Sequence, residues 1–419
     1  KQKNCLDDRR ITEIIRKNTR KSQKLMKTGY SIRTWRMRLV CPEPIWLDRT
    51  EEYFQNVVEF YYHLLRQHEE LWNSSLFDIQ RSLELLTLAG RDGRQPTNPL
   101  PMGKVPVYLR RAAINKASAT VKSTQELQSG FPEKLEAKVT FFKGMYSDLT
   151  DKSICLKLWN GEKWIWTDCN LKGRPFPQDG QLMSPTLVKE GRCYLLNIPV
   201  KQENSDARTA KERMAEGTNL CSVRFTNTDT FAVCCILDEQ GNQLAVHNCR
   251  GGDAYRHRCK LLETRIQKSR PNTVGDNSPQ PNRKYYMHLK NLSEHYAHQV
   301  SREILNFCKE NQAGIIVLPD YDQNFTRMAM VKSGNFSPLH LSSKIRTNLQ
   351  YKAWAEGILV LETRTDGLKD KCAICGGKVR RKGNEFLCEN GHQGNRFLND
   401  ARNLGRKCQD SFFRGSRTK

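Results

Sequence analysis

The chain has 419 residues and a formal net charge of +24, with 37% hydrophobic and 9% aromatic residues. That is enough apolar material for two to four folded domains, so the composition excludes a disordered basic tail protein and points to a polyanionic partner. No apolar run reaches the ~18 residues of a membrane span, and fifteen cysteines, mostly inside apolar runs such as Phe231–Leu237, read as buried thiols of a reducing compartment rather than a disulfide framework. The expected location is the cytoplasm, in association with the nucleoid.

In chain order, residues 1–30 form a basic arm without the apolar core of a signal peptide. SIRTWRMRLV alternates as a strand and carries Arg33 and Arg36. From about Glu51, the residues Phe54, Val57, Val58, Tyr61, Leu64 and Leu65 recur at helical spacing and read as a core stripe. After a Gly/Pro-rich loop (90–106) comes a helix that mixes alanines with Arg110, Arg111, Lys116 and Lys122. Its small residues would allow close backbone approach, and its cations would reach phosphates. Between 134 and 200 the period changes to short strands separated by turns, which predicts a small antiparallel barrel. Residues 201–217 read as a polar linker. Beyond them, strands and helices alternate to about 366 in an α/β pattern, interrupted by a loop, NTVGDNSPQPN, expected to be flexible.

The strongest local signal lies further on. Cys372 and Cys375 are two apart, and Cys388 and His392 close a second knuckle beyond a basic hairpin. Thiolates and an imidazole at this spacing predict a zinc ribbon with no open coordination position, so its zinc would be structural. Gly376, Gly377 and Gly391 beside the knuckles supply the positive φ such turns need.

Together with LSEHYAHQVSREILNFCKENQAGIIVLPDY, LSSKIRTNLQYKAWAEGILVLETR and CENGHQGNRFLNDARN, this ribbon makes the chain resemble the transposon-encoded TnpB proteins and the miniature type V-F CRISPR effectors. The resemblance spans about Ser31 to Lys407 and implies a multidomain α+β fold. A helical recognition lobe (49–129) would be inserted in a small β-barrel wedge (31–48 and 130–200). After the linker would come a RuvC-like, RNase H-type α/β domain (218–366 and 393–419) with the zinc ribbon (367–392) inserted in it. It also implies a guide RNA and a double-stranded DNA target beside a short adjacent motif. Arg33, Arg36, Arg110, Arg111, Lys116 and Lys122 become candidate nucleic-acid contacts by their place in the family.

The family's nuclease uses three carboxylates to hold two Mg²⁺ ions. Carried over, those positions fall on Arg224, Pro319 and Phe397. Proline and phenylalanine offer no ligand atom. A guanidinium ~4 Å from a divalent ion costs on the order of 8 kcal/mol at an effective dielectric of 20, twice the unit-charge figure. No catalytic Mg²⁺ is therefore expected, and the implied function is RNA-guided DNA binding without cleavage. It would repress transcription by occupancy or recruit a transcription or transposition factor, and a second copy on the same guide is within the family's range. Two alternatives stand beside it. One is an active nuclease using Asp229, Asp320 and Asp400 as displaced carboxylates; the other is a zinc-ribbon protein that reads DNA without RNA.

Overall fold

The computed structural model describes residues 29–90, 93–177, 179–269, 282–321 and 337–414. The basic arm lies outside the described residues up to position 28, as does the loop NTVGDNSPQPN up to its final Asn282. Contacts divide the chain into two compact units, 32–202 and 203–419 together with 1–31.

In the first unit, strand β1 (Tyr30–Val40) leads into helices α1 (Pro44–Gln67), α2 (Leu76–Thr87) and α3 (Val107–Leu127). Pro44 opens α1, where a missing N–H costs nothing. The apolar stripe read from the sequence, Phe54 to Leu65, is buried as a row along that helix. Strands β2 (Tyr146–Ser147), β3 (Ser153–Trp159), β4 (Trp164–Lys172), β5 (Gln181–Leu182), β6 (Thr186–Glu190) and β7 (Cys193–Glu203) follow.

They build one sheet in the order β2-β3-β4-β1-β7-β5, with β6 also on β7. Strand β1 thus pairs with strands that follow the helices, for example Arg38 opposite Lys172, so α1–α3 are inserted within a single sheet, as expected. The expected small barrel takes the form of a half-barrel sheet. The segment just ahead of β2 turns back onto β6, with Thr140 opposite Thr186 and bonds from Leu187 N to the Val139 carbonyl and from Phe141 N to the Pro185 carbonyl, both 2.8 Å. The alanines of α3 also differ from expectation. Ala112, Ala113 and Ala117 are buried in the unit's core, so they serve packing rather than the approach of a nucleic-acid backbone.

The second unit opens with α4 (Ala210–Ala215), inside the stretch expected to be a linker. A capping box between Thr209 and Glu212 starts this one-turn helix, a pattern easily missed in so polar a run. A five-stranded sheet follows: β8 (Leu220–Phe225), β9 (Ala232–Leu237), β10 (Gln243–Cys249), β11 (Ile315–Asp320) and β12 (Leu359–Arg364), in the order β10-β9-β8-β11-β12. Strand β9 is antiparallel to both neighbours, whereas β8, β11 and β12 are parallel.

Both faces of this sheet are covered, which is why its strands are apolar without interruption. Cys221, Val223, Cys234, Ile236, Ile316 and Leu318 pack under α5 (Gly252–Lys268), α6 (Arg283–Glu310) and α7 (Ser342–Trp354). On the other face Leu220, Cys235, Leu237, Ile315 and Val317 meet α8 (Arg396–Arg414). A Cβ on Gly405 of α8 would stand 2.5 Å from Leu237 Cδ1, so the close approach of helix and sheet requires glycine there.

The fully buried Arg213 of α4 ties the edge of this unit together. Its guanidinium donates to the carbonyls of Gly314 (2.7 Å), Gly357 (2.6 Å), Asp206 (2.8 Å) and Arg208 (3.1 Å), and it pairs with the Asp206 carboxylate at 3.4 Å. Gly314 directly precedes β11, and Gly357 lies just ahead of β12. Replacing Arg213 by Met is expected to cost about 3–5 kcal/mol, because it strands four carbonyls and a carboxylate. Denaturant unfolding of the variant measures this; a loss under about 1 kcal/mol would contradict the clamp.

Candidate functional site

Strands β8 and β11 run parallel, with Ile315 beside Leu220, Ile316 beside Cys221 and Val317 beside Ser222. Two residues further along each strand, Arg224 and Pro319 come side by side on the face toward α8, as the sequence reading placed them. Pro319 is tolerated in this central strand because the pairing to β8 already ends at Val317, so no ladder bond is lost on that side.

The third member of the cleft is not Phe397. Asp400, one turn further along α8, lines the same small cleft as Arg224, Pro319, Thr365, Leu368, Lys369 and Leu404. Phe397 lies in the first turn of α8, buried beneath the Arg396 guanidinium at 4.6 Å. Of the three acids considered as displaced carboxylates, Asp400 does enter the cleft, because the phase of α8 turns position 400, not 397, toward the strand ends.

Asp400 is 3% exposed and ion-paired twice. Arg224 Nε donates to Oδ2 at 3.3 Å, and Arg381, from the basic hairpin between the ribbon knuckles, donates to Oδ1. Arg224 also donates to the Tyr321 hydroxyl and lies over that ring. Burial pushes the Tyr321 phenol up, so it remains a neutral partner. Cationic charge is therefore already present at the mouth of the strands, supplied by guanidinium groups.

The other two displaced acids do not join it. Asp229 Oδ1 accepts from the Asp253 amide, 3.1 Å away in the first turn of α5, an anion at a helix N-terminus. Asp320 is exposed at the end of β11 and, one residue on from Pro319, faces the opposite side of the sheet. Among the described residues no three carboxylates are close enough to share an ion.

The ribbon is the second candidate site. Strands β13 (Val379–Lys382), β14 (Glu385–Cys388) and β15 (Gln393–Asn395) form its small antiparallel sheet. The ligand atoms of Cys372, Cys375, Cys388 and His392 all lie within 4.8 Å of one another. Each knuckle turns an amide toward a sulfur: Ile374 N to Cys372 Sγ and Asn390 N to Cys388 Sγ, both at 3.4 Å. Gly376 and Gly391 adopt positive φ (76° and 83°) as expected. Gly377 does not; it is glycine for space, since a Cβ there would stand 2.9 Å from Glu389 Oε1.

The residues fit a metal ion. His392 Nδ1 is buried with no hydrogen-bond partner, an orphan that a metal would satisfy. Asn390 and the Gly377 amide pull the Cys375 thiol down to about 6, toward the thiolate a metal requires. Asn399 and Asn403 bind the ribbon to α8: Asn399 accepts from the Ala373 amide, and both donate to the Lys371 carbonyl at 2.8 Å. Sequence reasoning missed these asparagines and Arg381; nothing in their spacing announces the contacts.

The candidate nucleic-acid residues separate into two groups. Arg110 is withdrawn: it is 7% exposed and donates to Glu84 at 3.0 and 3.2 Å from inside the core of its unit. Arg111 shares that glutamate from the surface, and Lys122 donates to the Ser74 carbonyl at 2.7 Å. Lys116 is exposed on α3, Arg36 is exposed and paired with Glu190, and Arg33 is half-buried.

A model of the Aq_aa04 family matches residues 31–160, less than a third of the chain. No curated protein sequence matches it. Among solved structures, a Cas12f1–sgRNA–target DNA complex is similar at a TM-score of 0.51 and 13% identity, over 86% of this chain and 81% of that one. The mini-RNA-guided endonuclease CRISPR-Cas_phi3 is similar at a TM-score of 0.51 and 10% identity, over 94% and 97%. At such identities the likeness is one of architecture: this chain has the fold of the miniature type V effectors.

Proposed function

We propose that the protein binds double-stranded DNA under the direction of a guide RNA and does not cut it. The observation that carries the second half is the Arg224–Asp400–Arg381 cluster at the ends of β8 and β11. A buried carboxylate satisfied by two guanidinium groups has neither the charge nor the free lone pairs to gather two Mg²⁺ ions. An Arg224 side chain in the cleft also repels a divalent ion there. The first half rests on the net charge of +24 and on the effector fold, whose solved examples include a complex with guide RNA and target DNA.

In this reading base pairing supplies the sequence specificity, and the protein reads the shape and backbone of the heteroduplex and a short adjacent motif. Zinc in the ribbon is structural: it fixes the knuckles against the asparagines of α8. Bound at a promoter, the complex would repress by occupancy or hold a transcription or transposition factor at its target.

The test is to purify the protein with its genomic neighbourhood and sequence the RNA that accompanies it. One enriched species with a constant scaffold and a variable end is expected. Bulk RNA, or site-specific DNA binding that survives removal of all RNA, would overturn guiding and leave a ribbon protein that reads DNA by itself.

A further inference from the structure

We propose a second zinc site in the α/β unit, formed by Cys249, His247 and Glu303 and separate from the ribbon. It does not rest on guide RNA or on DNA binding.

His247 and Cys249 lie two residues apart at the end of β10, the edge strand of the sheet, and so share a face. Glu303 comes from α6. The three donor atoms lie within 4.8 Å of one another. Cys249 is fully buried, whereas the side chains of His247 and Glu303 are 37% and 32% exposed. The thiol therefore forms the floor, the imidazole and carboxylate form the rim, and one side faces solvent. Three protein ligands with a fourth position left to water is a common zinc arrangement. A mixed sulfur, nitrogen and oxygen donor set selects zinc over magnesium or calcium.

The imidazole is oriented independently of any metal. Its ring packs on Phe307, one turn along α6 from Glu303, with centroids 5.2 Å apart. His247 Nε2 stands 2.6 Å from Glu303 Oε1. Ligands of a tetrahedral zinc are about 3.3 Å apart, so the pair must open by less than ~1 Å, which rim side chains can do. Behind the floor the Cys234 thiol is in contact with those of Cys249 and Cys221. Cys249 also packs in the apolar core, but neither core packing nor the His–Glu pair requires its sulfur to lie within 4.8 Å of both rim donor atoms. The metal would fasten the edge strand β10 to α6.

The full chain is expressed with zinc, and the metal per chain is measured before and after challenge with a chelator. Two zinc ions per chain are expected. Cys249→Ser and Cys372→Ser should each leave one, and the double variant none. Glu303→Gln alters only the rim and leaves the core intact. It should release one of its two ions at least ~10-fold more readily than wild type, while the ribbon ion is unaffected. One zinc in the wild type, abolished by Cys372→Ser alone, would overturn the proposal, as would a Glu303→Gln release profile identical to wild type.

Discussion

Asp400→Leu is expected to destabilise the α/β unit by about 3–5 kcal/mol, because breaking a buried ion cluster leaves its cations uncompensated. Arg224 and Arg381 both converge on this carboxylate, and their side chains are only 13% and 23% exposed. For a unit of this size the midpoint of thermal unfolding should fall by roughly 10 °C. Combining Asp400→Leu with Arg224→Met and Arg381→Met should recover most of the loss, since apolar replacement of a whole buried cluster is often neutral. Scanning calorimetry of the single and triple variants tests both expectations. A single variant within about 2 °C of wild type would show that Asp400 does not anchor the cluster.

Cys372→Ser is expected to remove the ribbon metal, lower the zinc content by one ion and unmoor the start of α8. Binding of structural zinc contributes on the order of 10–16 kcal/mol of apparent folding free energy in zinc-finger peptides, far more than a small three-stranded sheet can replace. The effect spreads because Ala373 and Lys371, at the first knuckle, bond to Asn399 and Asn403. Asp400 follows Asn399 directly, so loss of zinc should loosen the arginine cluster as well. Hydrogen exchange should show protection lost over the first turns of α8, with weaker DNA binding or solubility. Unchanged zinc by elemental analysis would contradict the ligand set.

Much of this was legible in the sequence where one physical cause acts alone. The apolar runs of β8, β9 and β11 announce strands covered on both faces. The stripe from Phe54 to Leu65 announces a helix packed along one side. The cluster of Cys372, Cys375, Cys388 and His392 is legible because donors that could hold a metal recur at the spacing coordination geometry demands. The adjacency of Arg224 and Pro319 was legible only through the family resemblance, and the parallel pairing of β8 with β11 brings the two side by side.

What escaped depends on pairings that leave no mark on local pattern. Asp400 rather than Phe397 enters the cleft because of the phase of α8, a matter of one helical turn. Arg110 reads as a surface cation until Glu84, 26 residues away, draws it into the core. Arg381 reaches Asp400 only because the hairpin folds back over α8. The polar run 201–217 conceals a one-turn helix whose buried arginine looks like any solvated one.

The most direct measurement of the central claim is to incubate the protein, loaded with its own co-purified RNA, with matching double-stranded DNA in Mg²⁺. Binding is followed by mobility shift, and strand integrity on a denaturing gel. The expected result is stable, sequence-dependent binding with both strands intact. Mg²⁺-dependent cleavage that disappears in Asp229→Ala, Asp320→Ala or Asp400→Ala would contradict it and establish a nuclease with displaced carboxylates.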